Sequence, residues 1–109
     1  MALLHAKPLY KGRVTAVGAW TDLYTVPSGD RVILRNLVGR AEGNSSNVDA
    51  YFRISGQQFV HLVLTPDGTA GNNYDLTEWL VMDQNDVLSV YQTGTNGLWV
   101  IASGSLYTI

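Results

Sequence analysis

Few side chains in this sequence have the type and spacing that chemistry on a substrate requires. His5 and His61 are the only histidines, and neither has a second histidine at the short spacing of a zinc site. Cysteine, the other common zinc ligand, is absent. The sequence therefore predicts no metal and no cofactor. It places His61 in a strand, half-buried, with one ring nitrogen hydrogen-bonded.

A nucleophilic triad is the other chemistry to consider, because Ser, His and Asp from distant positions can meet in a folded protein. The chain contains all of these residue types, but it has no Gly-x-Ser-x-Gly elbow to present a serine. The Gly-containing segment at residues 94–97 precedes a strand rather than a helix, so it is a turn and not a phosphate loop. We therefore predict that the protein is not an enzyme and has no catalytic residue.

Asp83 and Asp86 flank a polar turn, where a calcium site is one possibility. Calcium loops carry a denser set of oxygen ligands than two carboxylates supply. Asp side chains also stabilise turns by accepting hydrogen bonds from nearby backbone N–H groups. We expect Asp83 and Asp86 to serve the turn.

The charges are few and unevenly distributed along the chain. Charged residues make up 15% of the 109 residues, against an ordinary share of about 25%, and the net charge is −2. Residues 1–53 hold seven basic and four acidic residues, a net charge of +3, whereas residues 54–109 hold five acidic residues and no base, a net charge of −5. A subunit polarised in this way can pair one side with the opposite side of a neighbour, unless interleaved strands mix the charges. The low basic content predicts no nucleic-acid partner.

Alternation of polar and apolar residues divides the chain into short extended segments separated by turns. One turn, Pro27-Ser28-Gly29, lies between two runs rich in β-branched and aromatic residues. The predicted strands are residues 9–17, 19–26, 31–40, 48–54, 58–64, 74–82, 87–92 and 98–109. The clearest alternation predicts a core face of Val48, Ala50, Phe52 and Ile54, and Gly104 is a candidate bulge. The pattern indicates an all-β, single-domain antiparallel β-sandwich or barrel of about eight strands over residues 9–109.

Residues 1–8 are predicted to form an N-terminal arm, because Pro8 interrupts a strand there. Such an arm is either frayed, as termini usually are, or docked on a neighbouring subunit, for which the apolar Leu3 and Leu4 are suited. The first residues lack the basic start of a signal peptide, and no apolar run approaches the roughly 18 residues of a membrane span. We therefore expect no membrane association.

Three predicted strands are apolar on both faces, although a two-layer sandwich covers only one face of each sheet. We expect another subunit to cover the outer apolar face of each of these strands. Alternatively, bulges turn all of their apolar side chains toward the core. Arg31 and Arg35 lie on the face away from Val32 and Leu34, where they would meet an acidic partner. The predicted interface residues are Leu3, Leu4, Arg31, Arg35, Phe59, Val63, Trp79 and Trp99.

The aromatic residues allow a second interpretation of these faces. The chain has three Trp and six Tyr, which could form a carbohydrate platform with Tyr51 and Trp79 on faces that need not be core. Aromatic residues are also common in subunit interfaces, and we favour that role.

The segment LYTVPSG at residues 23–29, followed by the strand at residues 32–37, resembles a pattern in small structural proteins of tailed bacteriophages. In that pattern a polar loop and a V-x-[ALV]-x-[FI]-x-I strand follow, and residues 48–54 match this strand. Residues 80–90 look like the family's apolar strand, turn and returning strand. The resemblance covers roughly residues 9–92. Where the family often has Pro-Gly after the long loop, this chain has Tyr74-Asp75-Leu76, so the shape of that loop does not transfer.

The resemblance implies a jelly-roll-like domain that assembles on the virion and has no enzymatic activity. Members of this family are similar to head decoration proteins. By this resemblance, the chain would bind the shell of major capsid protein as a homo-oligomer, with a trimer favoured, and stabilise the shell. Such a protein would be made in the host cytoplasm and reside on the virion, with the head surface favoured over the tail. A tail- or fibre-associated adhesin or carbohydrate-binding module is the alternative. No functional residue transfers, because the family is united by its fold.

Overall fold

The computed structural model describes residues 2–66 and 72–108, and for residues 2–7, 72–75 and 77–79 it describes the backbone alone. The described residues form eight strands and no helix. The strands are β1 (Ala2–Val14), β2 (Trp20–Thr25), β3 (Asp30–Arg40), β4 (Val48–Ile54), β5 (Gln57–Leu64), β6 (Asn72–Met82), β7 (Val87–Gln92) and β8 (Leu98–Thr108). All strand pairs are antiparallel, so the predicted all-β class is confirmed. Over these residues, no helix is present that is long and apolar enough to cross a membrane.

The strands form two four-stranded sheets packed around one core. Sheet A has the order β1-β8-β3-β6, and sheet B has the order β2-β7-β4-β5. Apart from the β4–β5 hairpin, every connection crosses from one sheet to the other, and the first and last strands are neighbours. The predicted β-sandwich is therefore confirmed, and its interleaved strand order is that of a jelly roll.

Strand β4 shows how the alternation of the sequence builds the core. Val48, Ala50 and Phe52 are fully buried between the sheets, as predicted. Ile54, the fourth predicted member of this face, is partly buried and packs against the same core. Full burial of a side chain as large as that of Phe52 stabilises the fold by about 1.5–3 kcal/mol.

A bulge in β3 changes which of its residues face the core. Leu34 lies opposite Gly104 of β8 and Asn36 lies opposite the next residue, so Arg35 is the extra residue of the bulge. The alternation restarts after Arg35, which brings Leu37 into the core beside Leu34. Gly104 permits the close approach of the strands, because a Cβ atom there would lie 2.5 Å from the Ile33 carbonyl oxygen.

The first strand begins and ends earlier than predicted. It starts at Ala2 and pairs with β8 along its length, so residues 2–8 continue the sheet rather than leaving it as an arm. Pro8 is tolerated because β1 is an edge strand of sheet A, where one side of the strand needs no ladder hydrogen bond. Residues 15–17, predicted to end this strand, lie in the loop to β2, where Val17 is 48% exposed.

The predicted turn between β2 and β3 is confirmed. The Asp30 N–H donates to the Pro27 carbonyl at 3.1 Å, and Gly29 has a φ of +85°, the conformation that favours glycine in this position of a turn. The Gly29 N–H also donates to Gln84 Oε1 at 2.9 Å, which ties this turn to the β6–β7 turn. Close by, burial raises the pKa of Tyr24, and the Asp30 carboxylate raises it further.

Candidate binding surfaces

The outer face of sheet A carries a row of basic and aromatic side chains that crosses three strands. Trp99 of β8 lies opposite Arg13 of β1 on one side and opposite Arg40 of β3 on the other. Two residues further along β8, Ile101 lies opposite Lys11 of β1. Residues two apart in a strand share a face, and directly opposite residues have neighbouring side chains, so this set forms one surface.

These side chains line an open groove of about 430 Å³, which we call the cationic groove. Its lining residues are Lys11, Arg13, Arg40, Glu42, Trp99 and Ile101. Arg40 Nη1 lies 3.3 Å from Glu42 Oε1, and these side chains are 40% and 49% exposed. A pair this exposed contributes little to stability. The groove thus combines three cationic side chains and one carboxylate with the apolar surface of Trp99 and Ile101.

Hydrogen bonds between two loops fix one wall of the cationic groove. The Asn44 amide donates to the Gly97 carbonyl at 2.9 Å, and its Oδ1 accepts from the Asn96 N–H at 3.0 Å. Arg13 Nη1 donates to the Asn96 carbonyl at 2.8 Å and to the Glu42 carbonyl at 3.4 Å. The β3–β4 and β7–β8 loops therefore hold the Arg13 guanidinium in one place.

A second groove opens along the side of the sandwich, between the edge strands β5 and β6. It has a volume of about 440 Å³, and we call it the seam groove. Its lining residues are Ile54, Ser55, Gln57, Gln58, Phe59, Leu80, Val81 and Asp86. Ile54, Phe59 and Leu80 pack partly against the core, whereas Val81 is 50% exposed. Apolar side chains of both sheets therefore reach solvent in this groove.

The outer face of sheet B carries a row of four rings, one on each strand. The Tyr51 and His61 rings are stacked with centroids 4.2 Å apart and planes 12° apart. Tyr91 meets Tyr51 edge-on at 5.8 Å and Trp20 at 5.6 Å, and the Arg53 guanidinium lies 4.0 Å from the centre of the Trp20 ring. Because the rings pack on one another, Tyr51 offers a sugar less open ring face than a separate aromatic residue would.

His61 lies in this row, on the edge strand β5 of sheet B. Its side chain is 39% exposed, in keeping with the half-buried strand position predicted for it. One ring nitrogen is bonded, as expected: Nε2 lies 3.0 Å from Asp49 Oδ1. Among the residues that the structure describes, no three His, Cys, Asp or Glu side chains lie close enough together to hold a metal ion.

The predicted turn role is confirmed for Asp86, whereas the carboxylate of Asp83 contacts Arg31. Asp86 accepts hydrogen bonds from the Asp83 N–H at 2.9 Å and from the Ser55 hydroxyl at 2.8 Å. Arg31 Nε lies 2.8 Å from Asp83 Oδ1, so the acidic partner predicted for Arg31 in another protein is present within the chain. Arg35, predicted beside it at the interface, is exposed in the β3 bulge.

The remaining predicted interface residues have different positions. Val63 is 50% exposed, as expected for a residue on an outer face. Phe59 was expected on the same face, but it packs against the core, because a bulge in β5 at this point shifts the alternation. The side chains of Leu3, Leu4 and Trp79 lie outside the described part of the chain.

Sequence reasoning places Trp99 on an outer face but does not find the residues beside it. Alternation in β1 puts Lys11 and Arg13 on one face. That they lie next to Trp99 depends on the pairing of β1 with β8, and no local signal in either segment encodes that pairing. The only signal in the sequence that could have indicated the groove is the alternation of the charged residues Lys11 and Arg13 along one strand.

No protein-family model, curated protein or solved structure matches this chain. The assignment of a function to this protein therefore depends on the geometry of the two grooves and on the resemblance in its sequence.

Proposed function

We propose that this protein is a non-enzymatic structural protein of a tailed bacteriophage. It binds the shell of major capsid protein as a homo-oligomer, with a trimer favoured, and stabilises the shell from the head surface. The sequence resemblance at residues 23–29 and 48–54 supports this proposal. So does the strand order, because jelly rolls are common in viral coat proteins. A fold hosts many functions, however, so a specific surface has to carry the proposal.

The seam groove is the observation that carries it. β5 and β6 are the last strands of their sheets, so each has one edge with no neighbour in the sheet orders. Between them Phe59, Leu80 and Val81 present apolar surface. Open strand edges and exposed apolar surface are the two features through which β-sandwiches associate.

The energetics suit a small subunit that is repeated many times. Burial of apolar surface contributes about 25 cal/mol per Å², and a specific interface buries roughly 1,000 Å² or more in total. Each contact around such a shell can therefore be modest, since the contacts of many subunits add.

The position of His61 supports a non-enzymatic role. His61 lies on an open sheet face, bonded to Asp49 and stacked on Tyr51. A general base works best in a cleft that excludes water around the substrate, and this face provides none.

Val81→Glu tests the association. The change places a carboxylate in the seam groove, so the homo-oligomer is expected to dissociate and binding to capsid shells is expected to fall. Because Val81 is 50% exposed, the unfolding free energy should change by less than about 0.5 kcal/mol. Sedimentation velocity gives the mass in solution, and co-sedimentation with capsids gives the binding.

Val17→Glu is the matched control, because Val17 is 48% exposed but lies in the β1–β2 loop, away from the seam groove. It should keep the mass and the capsid binding of the wild type. A wild-type chain that is monomeric at all concentrations and does not bind capsids would contradict the proposal. Equal effects of the two variants would show that the seam groove is not the interface.

A further inference from the structure

We propose that the cationic groove is a binding site for an anionic saccharide, with a sugar ring against Trp99 and its acidic group among Arg13, Arg40 and Lys11. This inference goes beyond the assembly proposal and does not depend on it. The carbohydrate role that was the alternative for Tyr51 and Trp79 is thereby assigned to Trp99, which lies on the other sheet from Tyr51.

The arrangement across the strands gives the site its shape. Arg13 and Arg40 lie opposite Trp99 on its two sides. Neighbouring strands are about 4.8 Å apart, so the two arginines begin about 10 Å from one another with the indole between them. That width accommodates one sugar ring together with a charged substituent. The volume of about 430 Å³ lies within the range of about 300–1,000 Å³ of small-ligand sites.

The charges of the groove select an anion. Three cationic side chains face one carboxylate, that of Glu42, and this carboxylate is paired with Arg40. The hydrogen bonds of Arg13 go to the carbonyls of Asn96 and Glu42, which are neutral acceptors. A carboxylate or sulfate in the groove would therefore gain charge-assisted hydrogen bonds, which are about twice as strong as neutral ones.

Contacts within the chain hold part of the site in place. Arg13 is fixed by the carbonyls of two loops, and Asn44 links those loops to each other. Trp99 lies on the central pair of strands of sheet A rather than on a loop. These contacts reduce the side-chain entropy that Arg13 loses when a ligand binds, which favours affinity.

A saccharide fits the groove better than a nucleic acid or an acidic peptide. A nucleic acid needs a continuous basic track, and the chain carries a net charge of −2. An acidic peptide would dock as an added strand on a sheet edge. The cationic groove instead lies on a sheet face, with its aromatic residue on β8, a strand paired on both sides.

The test uses two anionic probes, trigalacturonate for carboxylates and a heparin-derived tetrasaccharide for sulfates, together with the methyl ester of trigalacturonate as the neutral match. Calorimetric titration should show binding of one or both anions, with an affinity that falls as salt increases. The methyl ester should bind at least about tenfold more weakly than the acid if trigalacturonate is the better ligand.

Variants of the groove give the second arm of the test. Trp99→Ala should lower the affinity by at least about tenfold, because it removes the aromatic surface against which the sugar ring packs. Lys11→Gln and Arg40→Gln should each lower it several-fold and reduce the salt dependence. Arg35→Gln is the matched control, because it removes an exposed arginine of the same strand as Arg40, outside the groove, and it should bind as the wild type does.

Three outcomes would overturn the proposal. The first is that neither anion shows heat of binding at millimolar concentration. The second is that trigalacturonate binds but its methyl ester binds equally well, and the third is that Arg35→Gln loses as much affinity as Arg40→Gln. Competition by a single-stranded oligonucleotide that is stronger than by either saccharide would assign the groove to nucleic acid instead. Thermal unfolding of each variant shows that it is folded, and Trp99→Phe, which keeps a ring, should retain part of the affinity.

Discussion

At the scale of single residues, one buried amide organises the end of the sandwich next to the cationic groove. Gln92 ends β7 and is fully buried. Its Nε2 donates to the Ala16 carbonyl at 2.8 Å, and its Oε1 accepts from the Gly94 N–H at 2.5 Å. It therefore joins the β1–β2 loop to the β7–β8 loop from inside the fold.

Gln92→Leu removes both hydrogen bonds but keeps most of the side-chain volume. The buried Gly94 N–H loses its partner, so we predict a loss of about 1–3 kcal/mol of unfolding free energy, measured by urea denaturation. Asn47→Leu, which replaces an amide by leucine at an exposed loop position outside both grooves, should stay within about 0.5 kcal/mol of the wild type. Equal effects of the two changes would mean that the amide does not hold the loops.

At the scale of strands, the β3 bulge sets the register of sheet A and depends on a glycine in the next strand. A Cβ atom at residue 104 would lie 2.5 Å from the Ile33 carbonyl oxygen and 3.3 Å from Leu34 Cα. Both are backbone atoms and can move only if the strands separate. Gly104→Ala should therefore destabilise the protein by about 1–3 kcal/mol or more.

Gly12→Ala is the control for this change, because Gly12 is also in sheet A. The nearest atom to a Cβ there is the Tyr10 hydroxyl oxygen at 3.3 Å, the far end of a side chain that needs to shift by only a few tenths of an ångström. We expect Gly12→Ala to cost less than about 0.5 kcal/mol in the same denaturation experiment. If both variants were equally stable, the close approach of β3 and β8 at Gly104 would not be needed for the fold.

At the scale of the whole molecule, local patterns predict the strands, and non-local pairing determines what lies beside them. The alternation at residues 48–54 gives the β4 core face, because its period of two is independent of the neighbouring strands. Residues 2–8 join a strand that the isolated sequence does not predict, since their partner lies at the other end of the chain. Phe59 and the cationic groove also depend on strand pairing. A bulge in β5 turns Phe59 toward the core, and the strand order of sheet A brings the residues of the cationic groove together. Trp99 is placed correctly, whereas its neighbours Arg13 and Arg40 are not found.

The two grooves lie at opposite ends of the sandwich, and this arrangement makes their functions separable. The seam groove includes Ser55 and Asp86 from the β4–β5 and β6–β7 turns, the cationic groove includes Glu42 from the β3–β4 loop, and they share no lining residue. Changes in one groove should therefore not alter the other, and their free-energy effects should add within about 0.5 kcal/mol.

We predict that Val81→Glu leaves the affinity of each chain for an anionic saccharide in solution unchanged. It should weaken attachment to a surface coated with the same saccharide, because a homo-oligomer presents several cationic grooves at once and a monomer presents one. Such multivalency raises apparent affinity by roughly 10²–10⁴-fold.

Trp99→Ala should have the opposite effects: it should keep the oligomer mass but lose affinity for the saccharide both in solution and on the coated surface. Calorimetry, surface plasmon resonance and sedimentation on the two variants and on their double mutant separate these effects. Loss of solution affinity in Val81→Glu would contradict the separation, because it would couple the seam groove directly to the saccharide site.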